Sequence, residues 1–430
     1  MNIKHDIDES IDRLISHFEP IMVFERDEKD EISKSYSLLV LEAREIISIE
    51  AKQETCPFKY LRDYQERNST QLLAGFLGYG LTAGTAGIEK QKENPLSLPD
   101  AALFAVSKAI RVDRKTGELT ITGGDRALEK EIAEVLTRNA PESNKLSGDL
   151  SSAPEPAPVM EKAEFLRRVE VARALIESGE AFQIVLSQRF TMPFEASALA
   201  AYRLLRRESG AAYNYYLRMP GFEYLGASPE TLATVRGRRL ALKALAGTRP
   251  RGRCEEEDRQ REANLVSCPK ERAEHMMLVD LGRNDVGAVS VAGSVKVGEL
   301  ARVMRLPNVM HMATSIEGEL EGHVTAHDAV KSCFPRGTVS GAPKKRAMEI
   351  LSTLETEQRG IYAGGVGFFE LGGDADFAIA IRSALIKDNR AHINAGAGIV
   401  HDSIPEHEYR ETLNKAGAII DPLRRASCRF

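Results

Sequence analysis

Between Tyr362 and Val400 the chain carries three strand-like runs, YAGGVGFFEL, DFAIAIRSALI and AHINAGAGIV, joined by Gly-Gly-Asp and Lys-Asp-Asn turns. A parallel pairing needs a crossover of about a dozen residues or more, and turns this short cannot provide one. Consecutive runs must therefore pair antiparallel, as a meander. That stretch sets the fold class as α+β with antiparallel sheets, not a doubly wound parallel sheet.

Helices are expected around those sheets. In EFLRRVEVARALIESG, Leu166, Val169, Ala172 and Ile176 share one face and Gly179 supplies a stop. AFQIVLSQRF, with its branched and aromatic residues, predicts a strand. KERAEHMMLVDLG predicts a helix ending at Gly282. Another starts in the run from Ser340 to Pro343, with the proline in its first turn and Ala347, Ile350, Leu351 and Leu354 as its apolar stripe. Residues 141–160, PESNKLSGDLSSAPEPAPVM, are rich in Pro and Ser and read as a linker or surface loop. The seam separates an N-terminal region, 1–150, from a denser region, 161–426.

Composition removes several function classes. The net charge is -5 and no Lys/Arg block is long enough for a nucleic-acid footprint, so a small-molecule ligand is expected. The opening MNIKHDIDESIDRLI lacks the apolar core of a secretion signal, and no apolar run is long enough to span a membrane. Five cysteines (Cys56, Cys254, Cys268, Cys333 and Cys428), none in a C-x-x-C pair, argue for free thiols in a reducing, cytoplasmic setting.

Acidic residues give the first chemical signal. Glu271 and Glu274 lie three apart on an expected helix, so their carboxylates point the same way, and Glu408 and Glu411 in PEHEYRETLNK repeat the arrangement on a second. Four carboxylates on two helices can form an oxygen-only site for a hard cation, and magnesium suits it best. Glutamate pairs at this spacing are more often a solvated face. His275 could suggest zinc, but no second His or Cys sits at ligand spacing. Arg382, on the expected face of Ala378, Ala380 and Ala384, has room to grip a carboxylate; the competing reading is an edge arginine in water. Gly396 and Gly398 at alternate strand positions let a backbone N–H approach an anion, or else mark a bulge or tight packing. Their spacing is not that of a dinucleotide fingerprint, and GTVSGAPK, residues 337–344, lacks the spacing of a phosphate loop. Glu230, Gln183 and His311 are ambiguous taken singly: a helix-start or general acid, a plain strand residue, a core histidine. These groups describe an acidic, anion-binding site without naming a reaction.

Longer strings carry the reading further. GASPE, AGTRPRG, AEHMMLVDLGRND, FPRGTVSGAPKKRAMEI, RGIYAGG and NAGAGIVHDSIPEHEYRETLNKA resemble the chorismate-binding family, in that family's order, from about residue 162 to 425. The first 150 residues resemble its N-terminal region weakly, through LGYG and the run up to LPDAALFAV. The resemblance implies two antiparallel sheets packed as a sandwich with flanking helices, and an active site in a cleft. It implies that Glu274 and Glu411 bind Mg2+, with Glu271 and Glu408 in its shell. Tyr362, Arg382, Gly396, Gly398 and Lys415 match positions that hold the carboxylates of chorismate, and Gly247, Thr248 and Thr338 line the same pocket. Glu230 matches the general acid that protonates the departing C4 hydroxyl, and must stay protonated near neutral pH. His311 matches the histidine that assists loss of pyruvate.

Two positions discriminate among members of the family. Water-using members resemble one another in placing a lysine base just before the V-I/V-L-S strand, where this chain has Gln183. Members making aminodeoxychorismate typically carry a nucleophilic lysine where this chain has Ala246. Both residues imply attack of ammonia at C2 and, with His311 present, anthranilate as product. The short tail after Lys415 implies no fused glutaminase, so ammonia is expected from solution or from a separate glutamine amidotransferase subunit in a hetero-oligomer. The resemblance also leaves an aminodeoxyisochorismate synthase without pyruvate loss, an aminodeoxychorismate synthase and a catalytically dead binding subunit as alternatives. Arg336 in FPRGT replaces the family's usual alanine, and Ala244 replaces the proline before AGT. The tryptophan pocket of feedback-regulated members resembles LLES plus NPSPYM; here the segments read Val40-Leu41-Glu42-Ala43 and Ser209-Gly-Ala-Ala-Tyr-Asn214, which implies weak or absent inhibition.

Overall fold

The computed structural model describes residues 3, 6–27, 35–52, 55–90, 93–137, 154–306 and 309–428. Every ladder between its strands is antiparallel. One hydrogen-bonded path links them in the order Gln183–Pro193, Arg390–Ile399, Ser383–Lys387, Phe222–Ser228, Tyr213–Met219, Met22–Arg26 and Tyr36–Ile49. It continues through Ala101–Asp113, Leu72–Leu77, Gly365–Glu370, Ala375–Ile379, Thr231–Arg236, Arg239–Pro250 and Val309–Glu319. The path doubles back through its long central strands, so that its two halves face one another. Phe24 of the first half meets Phe368 of the second edge to face, ring centroids 5.8 Å apart. The expected sandwich is present, and its two layers are joined rather than separate. Strands from before the seam occupy the middle of the path, between strands that come from after it.

Apolar clusters between and outside the layers hold them together. Phe24, Leu38, Phe76, Phe104, Leu217 and Phe368 are buried between them. Outside one layer, Phe58, Leu278, Val330 and Met348 bring helices Pro57–Arg67, Pro269–Gly287, Ala326–Cys333 and Lys344–Leu354 onto the strands. Outside the other, Leu14, Ile132, Tyr202 and Ile419 do the same for Ile7–Phe18, Arg126–Thr137, Ala198–Glu208 and Pro405–Ser427. Each helix contributes the apolar stripe that its 3.6-residue period creates, and burial of that stripe is the main force on the assembly. In Lys162–Glu177 the packed face is Phe165, Arg168, Val169 and Ala172, and Gly179 follows at φ 86°.

Several expectations change. DFAIAIRSALI is not one strand but two, Ala375–Ile379 and Ser383–Lys387, which belong to opposite layers. The chain crosses between layers at Arg382, whose φ is 51°, so the shared face with Ala378, Ala380 and Ala384 does not exist. The meander is real on either side of this crossing and broken at it. Gly282 does not end its helix, which runs on to Gly287. A Cβ there would lie 2.7 Å from Ile316 and 3.0 Å from Leu242, so the glycine permits close packing of helix on strand. Pro343 stands just before its helix as the N-cap, after a short strand, Gly341–Ala342, that pairs with Gln183 and Ile184. Of the proline-rich seam, 141–153 lie outside the described residues, and 157–158 form a short strand against the Gln183–Pro193 strand.

Candidate active site

The paired strands Gln183–Pro193 and Arg390–Ile399 form one wall of the site. Gly396 lies opposite Ser187 and Gly398 opposite Val185. A Cβ on Gly398 would stand 2.7 Å from the Gln183 amide nitrogen, and one on Gly396 would stand 2.8 Å from the Tyr362 hydroxyl. The alternate glycines thus make room for two polar side chains. Tyr362 is buried, and burial pushes its hydroxyl up to about 12, so it remains a donor at working pH. Arg359 lies between the rings of Tyr79 and Tyr362, 4.6 and 5.9 Å from their centroids, and is clamped by Glu355 at 2.7 Å. No sequence pattern singled out this buried pair; its only signal is two opposite charges four apart on a short segment.

Carboxylates form the opposing side. Helix Pro269–Gly287 carries Glu271 and Glu274, and helix Pro405–Ser427 carries Glu408, Glu411 and Lys415. Gln183 Nε2 donates to Glu274 Oε1 at 3.1 Å, while Gln183 Oε1 is buried with no hydrogen-bond partner. Burial raises the Glu274 carboxyl above its ordinary value; the Gln183 hydrogen bond opposes this, and repulsion from Glu271 and Glu411 adds to it. Burial also raises Glu408, with a hydrogen bond from Ser403 opposing and Glu411 adding. Arg249 Nη1 holds Glu271 at 3.0 Å, and Lys415 holds Glu411 at 2.5 Å. Lys415 also donates to the Gly396 carbonyl at 2.9 Å, and Arg382 Nη1 donates to the Lys415 carbonyl at 2.9 Å. Half-buried Arg382 is therefore anchored at the layer crossing and not free in water. Among the described residues no three or more His, Cys, Asp or Glu already converge as a metal nest. His275 belongs to the core: it is buried and hydrogen-bonded to Thr314 at 2.7 Å.

The third side comes from a bulge. In the ladder of Arg239–Pro250 with Val309–Glu319 the register slips between Ala246 and Thr248, and Gly247 is the extra residue, at φ 62°. A Cβ at Gly247 would stand 2.7 Å from Leu265 and 3.0 Å from Glu271. The bulge brings the Gly247 carbonyl and the Thr248 hydroxyl each to 3.0 Å from His311 Nδ1. A proton on Nδ1 satisfies the carbonyl and leaves Nε2 as an acceptor. Burial lowers the imidazole below its ordinary value, the Gly247 contact opposes this and Arg382 adds to it, so the ring is neutral at working pH. Ala246 is buried beside the bulge, opposite Met312, and offers only a methyl group.

Glu230 sits between the strands Phe222–Ser228 and Thr231–Arg236, 6% exposed, and accepts a hydrogen bond from Thr338 at 2.9 Å. Burial pushes its carboxyl up to about 7, against the opposing pull of Arg336, the Thr338 hydrogen bond and Lys415. Thr338 is delivered by the short helix Gly337–Ser340. Hydrogen bonds, ion pairs and electrostatic contacts thus connect residues drawn from 183 to 415; Ala246 and Gly398, of the expected set, enter by shape.

An antiparallel sandwich with an acidic, arginine-anchored site of this kind defines a class: the profile of the chorismate binding enzymes matches residues 18–421, and the chain belongs to that family. Among its relatives, anthranilate synthase component 1 of Bacillus caldotenax is 39% identical over 379 residues, 83% of this chain and 75% of that protein. The crystal structure of anthranilate synthase component I from Streptococcus pneumoniae matches with a TM-score of 0.79 at 34% identity, covering 91% of this chain and 93% of that one. The menaquinone-specific isochorismate synthase of Escherichia coli shares the fold, with a TM-score of 0.73 at 21% identity over 96% of this chain and 90% of that one.

Proposed function

We propose that this chain is the aminating component of an anthranilate synthase, converting chorismate and ammonia to anthranilate and pyruvate through 2-amino-2-deoxyisochorismate. The observation that carries the reading is Gln183: a buried, neutral amide tied to Glu274 stands where a water-using enzyme needs a base. Ammonia arrives as a nucleophile with its own lone pair and needs no deprotonation. The likeness to component 1 of other anthranilate synthases supports the same branch.

Glu230, holding its proton up to about pH 7, protonates the C4 hydroxyl as it leaves. Ammonia adds at C2, the two ring double bonds shift from C1=C2 and C5=C6 to C1=C6 and C4=C5, the C4–O bond breaks, and water departs. Loss of pyruvate then requires a base for the C2 proton, and the open Nε2 of His311 supplies it while the Gly247 carbonyl fixes the tautomer. Tyr362, Arg382 and Lys415 are donors for the substrate carboxylates, and aromatisation drives the last step.

A divalent cation fits the carboxylate side. Burial and two neighbouring glutamates, Glu271 and Glu411, raise the proton affinity of Glu274, and the donors are all oxygen, which suits Mg2+. Glu274 and Glu411 would hold it, with Glu271 and Glu408 around it, and its charge would neutralise the ring carboxylate of chorismate. Ammonia reaches this site from solution or from a separate glutamine amidotransferase subunit. Among the described residues no helix is long and apolar enough to cross a membrane. The cytoplasm is the compartment we assign.

The test is direct. Chain, chorismate, magnesium and ammonium at mildly alkaline pH are expected to generate anthranilate fluorescence that a chelator abolishes. Chorismate consumed to a non-aromatic amine would replace the full synthase with an aminodeoxyisochorismate synthase, and untouched chorismate would refute the catalytic reading.

A further inference from the structure

Arg336 is among the largest fully buried side chains in the protein, 2% exposed, and stands as N-cap of the helix that presents Thr338 to Glu230. Its main-chain carbonyl accepts from the Ser340 hydroxyl at 2.9 Å and from the Val339 N–H at 3.2 Å, so the helix closes on the Arg336 backbone. Its guanidinium meets Asp285 only loosely, at 3.8 Å, because Lys344 takes the same carboxylate at 2.6 Å. Arg336 Nε and Asp285 Oδ2 have no hydrogen-bond partner. Two cations thus share one carboxylate, and the buried group carries a surplus positive charge. Cys333 beside it cannot balance the charge, since burial pushes its thiol up to about 12 and keeps it neutral. Glu355 is already matched by Arg359. The helix that Arg336 caps is tied to Glu230 by the Thr338 hydrogen bond at 2.9 Å, and the Arg336 charge acts on that carboxyl.

We infer that Arg336 is a positioning residue for the proton transfer: standing at the N-cap of the Thr338 helix, it supplies the counter-charge for the carboxylate that Glu230 becomes when it gives up its proton. A buried acid without such a partner gives up its proton reluctantly; a fixed cation behind it stabilises the ionised form where water cannot. The inference rests on Glu230 being the general acid. The other groups facing Glu230 are the Thr338 hydroxyl and Lys415, and Lys415 is held by Glu411 and the Gly396 carbonyl. Arg336 is therefore the cation near Glu230 with the least competition for its charge. The departure from alanine at this position has a physical consequence: it tunes the acid from behind, without touching substrate.

The experiment is the pH profile of kcat at saturating chorismate and constant free ammonia, for wild type, Arg336→Met, Arg336→Lys, Asp285→Asn and Glu230→Gln. Arg336→Met keeps the length and removes the charge; its alkaline limb is expected to move up by about one pH unit, with the plateau falling about tenfold and KM for chorismate within about twofold of wild type. Arg336→Lys is expected to restore the limb. Asp285→Asn increases the surplus charge and is expected to move the limb down, a direction that a packing defect does not explain and one that remains readable if Arg336→Met does not fold. Unmoved limbs in these variants, with Glu230→Gln inactive, overturn the inference. A fully active Glu230→Gln overturns the general-acid reading and the inference with it.

Discussion

Replacing Glu230 by glutamine should make the protein more stable at alkaline pH while removing its activity. Glutamine has the same shape, and its carbonyl oxygen can still accept from Thr338. The native carboxyl holds its proton up to about 7, whereas an unconstrained one releases it near 4.5. Between those values the folded state binds a proton that the unfolded state has lost, so this group's contribution to stability is undiminished below pH 4.5 and falls as pH rises toward 7. At about 1.4 kcal/mol per pH unit the displacement amounts to roughly 3 kcal/mol, present in full above pH 7. The variant escapes that cost. Urea denaturation of wild type and variant at pH 4.5, 6 and 8 is the assay, since groups common to both cancel in the difference. The gap is expected to widen in the variant's favour by about 3 kcal/mol between the lowest and highest pH, while anthranilate formation is lost. A gap that stays constant with pH would contradict a buried acid at Glu230, whatever the variant does to turnover.

Other perturbations follow from the same geometry. Gln183→Lys places an amine beside Glu274 and should yield some water-derived isochorismate, read by mass and chromatography; none, in a folded protein that binds chorismate, would count against the role assigned to the amide. His311→Gln should slow pyruvate loss by about 10²- to 10⁴-fold and let the non-aromatic amine accumulate, detected as a lag in fluorescence. Tryptophan should inhibit weakly or not at all: Ala43 offers no hydroxyl, and the Tyr213 hydroxyl is already tied to Thr231 at 2.9 Å and Asp376 at 3.3 Å. Inhibition at low micromolar tryptophan would refute that reading.

The sequence disclosed what depends on local period and short spacing. The glutamate pairs three apart lie on helices, and the hairpins at Gly372–Gly373 and Asp388–Asn389 turn where their glycines and Asp-Asn pair allow positive φ. Contacts between distant segments were hidden. The layer crossing at Arg382 carries no glycine or proline to announce it, and its left-handed backbone is imposed by strands that pair on opposite sides. Gly282 looks like a helix stop until Ile316 and Leu242 are seen pressing on it. Gly396 and Gly398 were readable as special, but that they clear space for Tyr362 and Gln183 is a tertiary fact. Glu355 and Arg359 are ordinary charges in the sequence and become a clamp only when buried beneath Tyr362. Arg336 stood out by resemblance, while its place at the cap of the helix that brings Thr338 to Glu230 required the fold.

The central claim is amination at C2, and the measurement closest to it uses ¹⁵N-ammonium in ordinary water with chorismate and magnesium, followed by mass spectrometry of every product. Amination at C2 predicts anthranilate one mass unit heavier, equimolar pyruvate, and no isochorismate. Isochorismate as the main product, with no nitrogen incorporated, would contradict it.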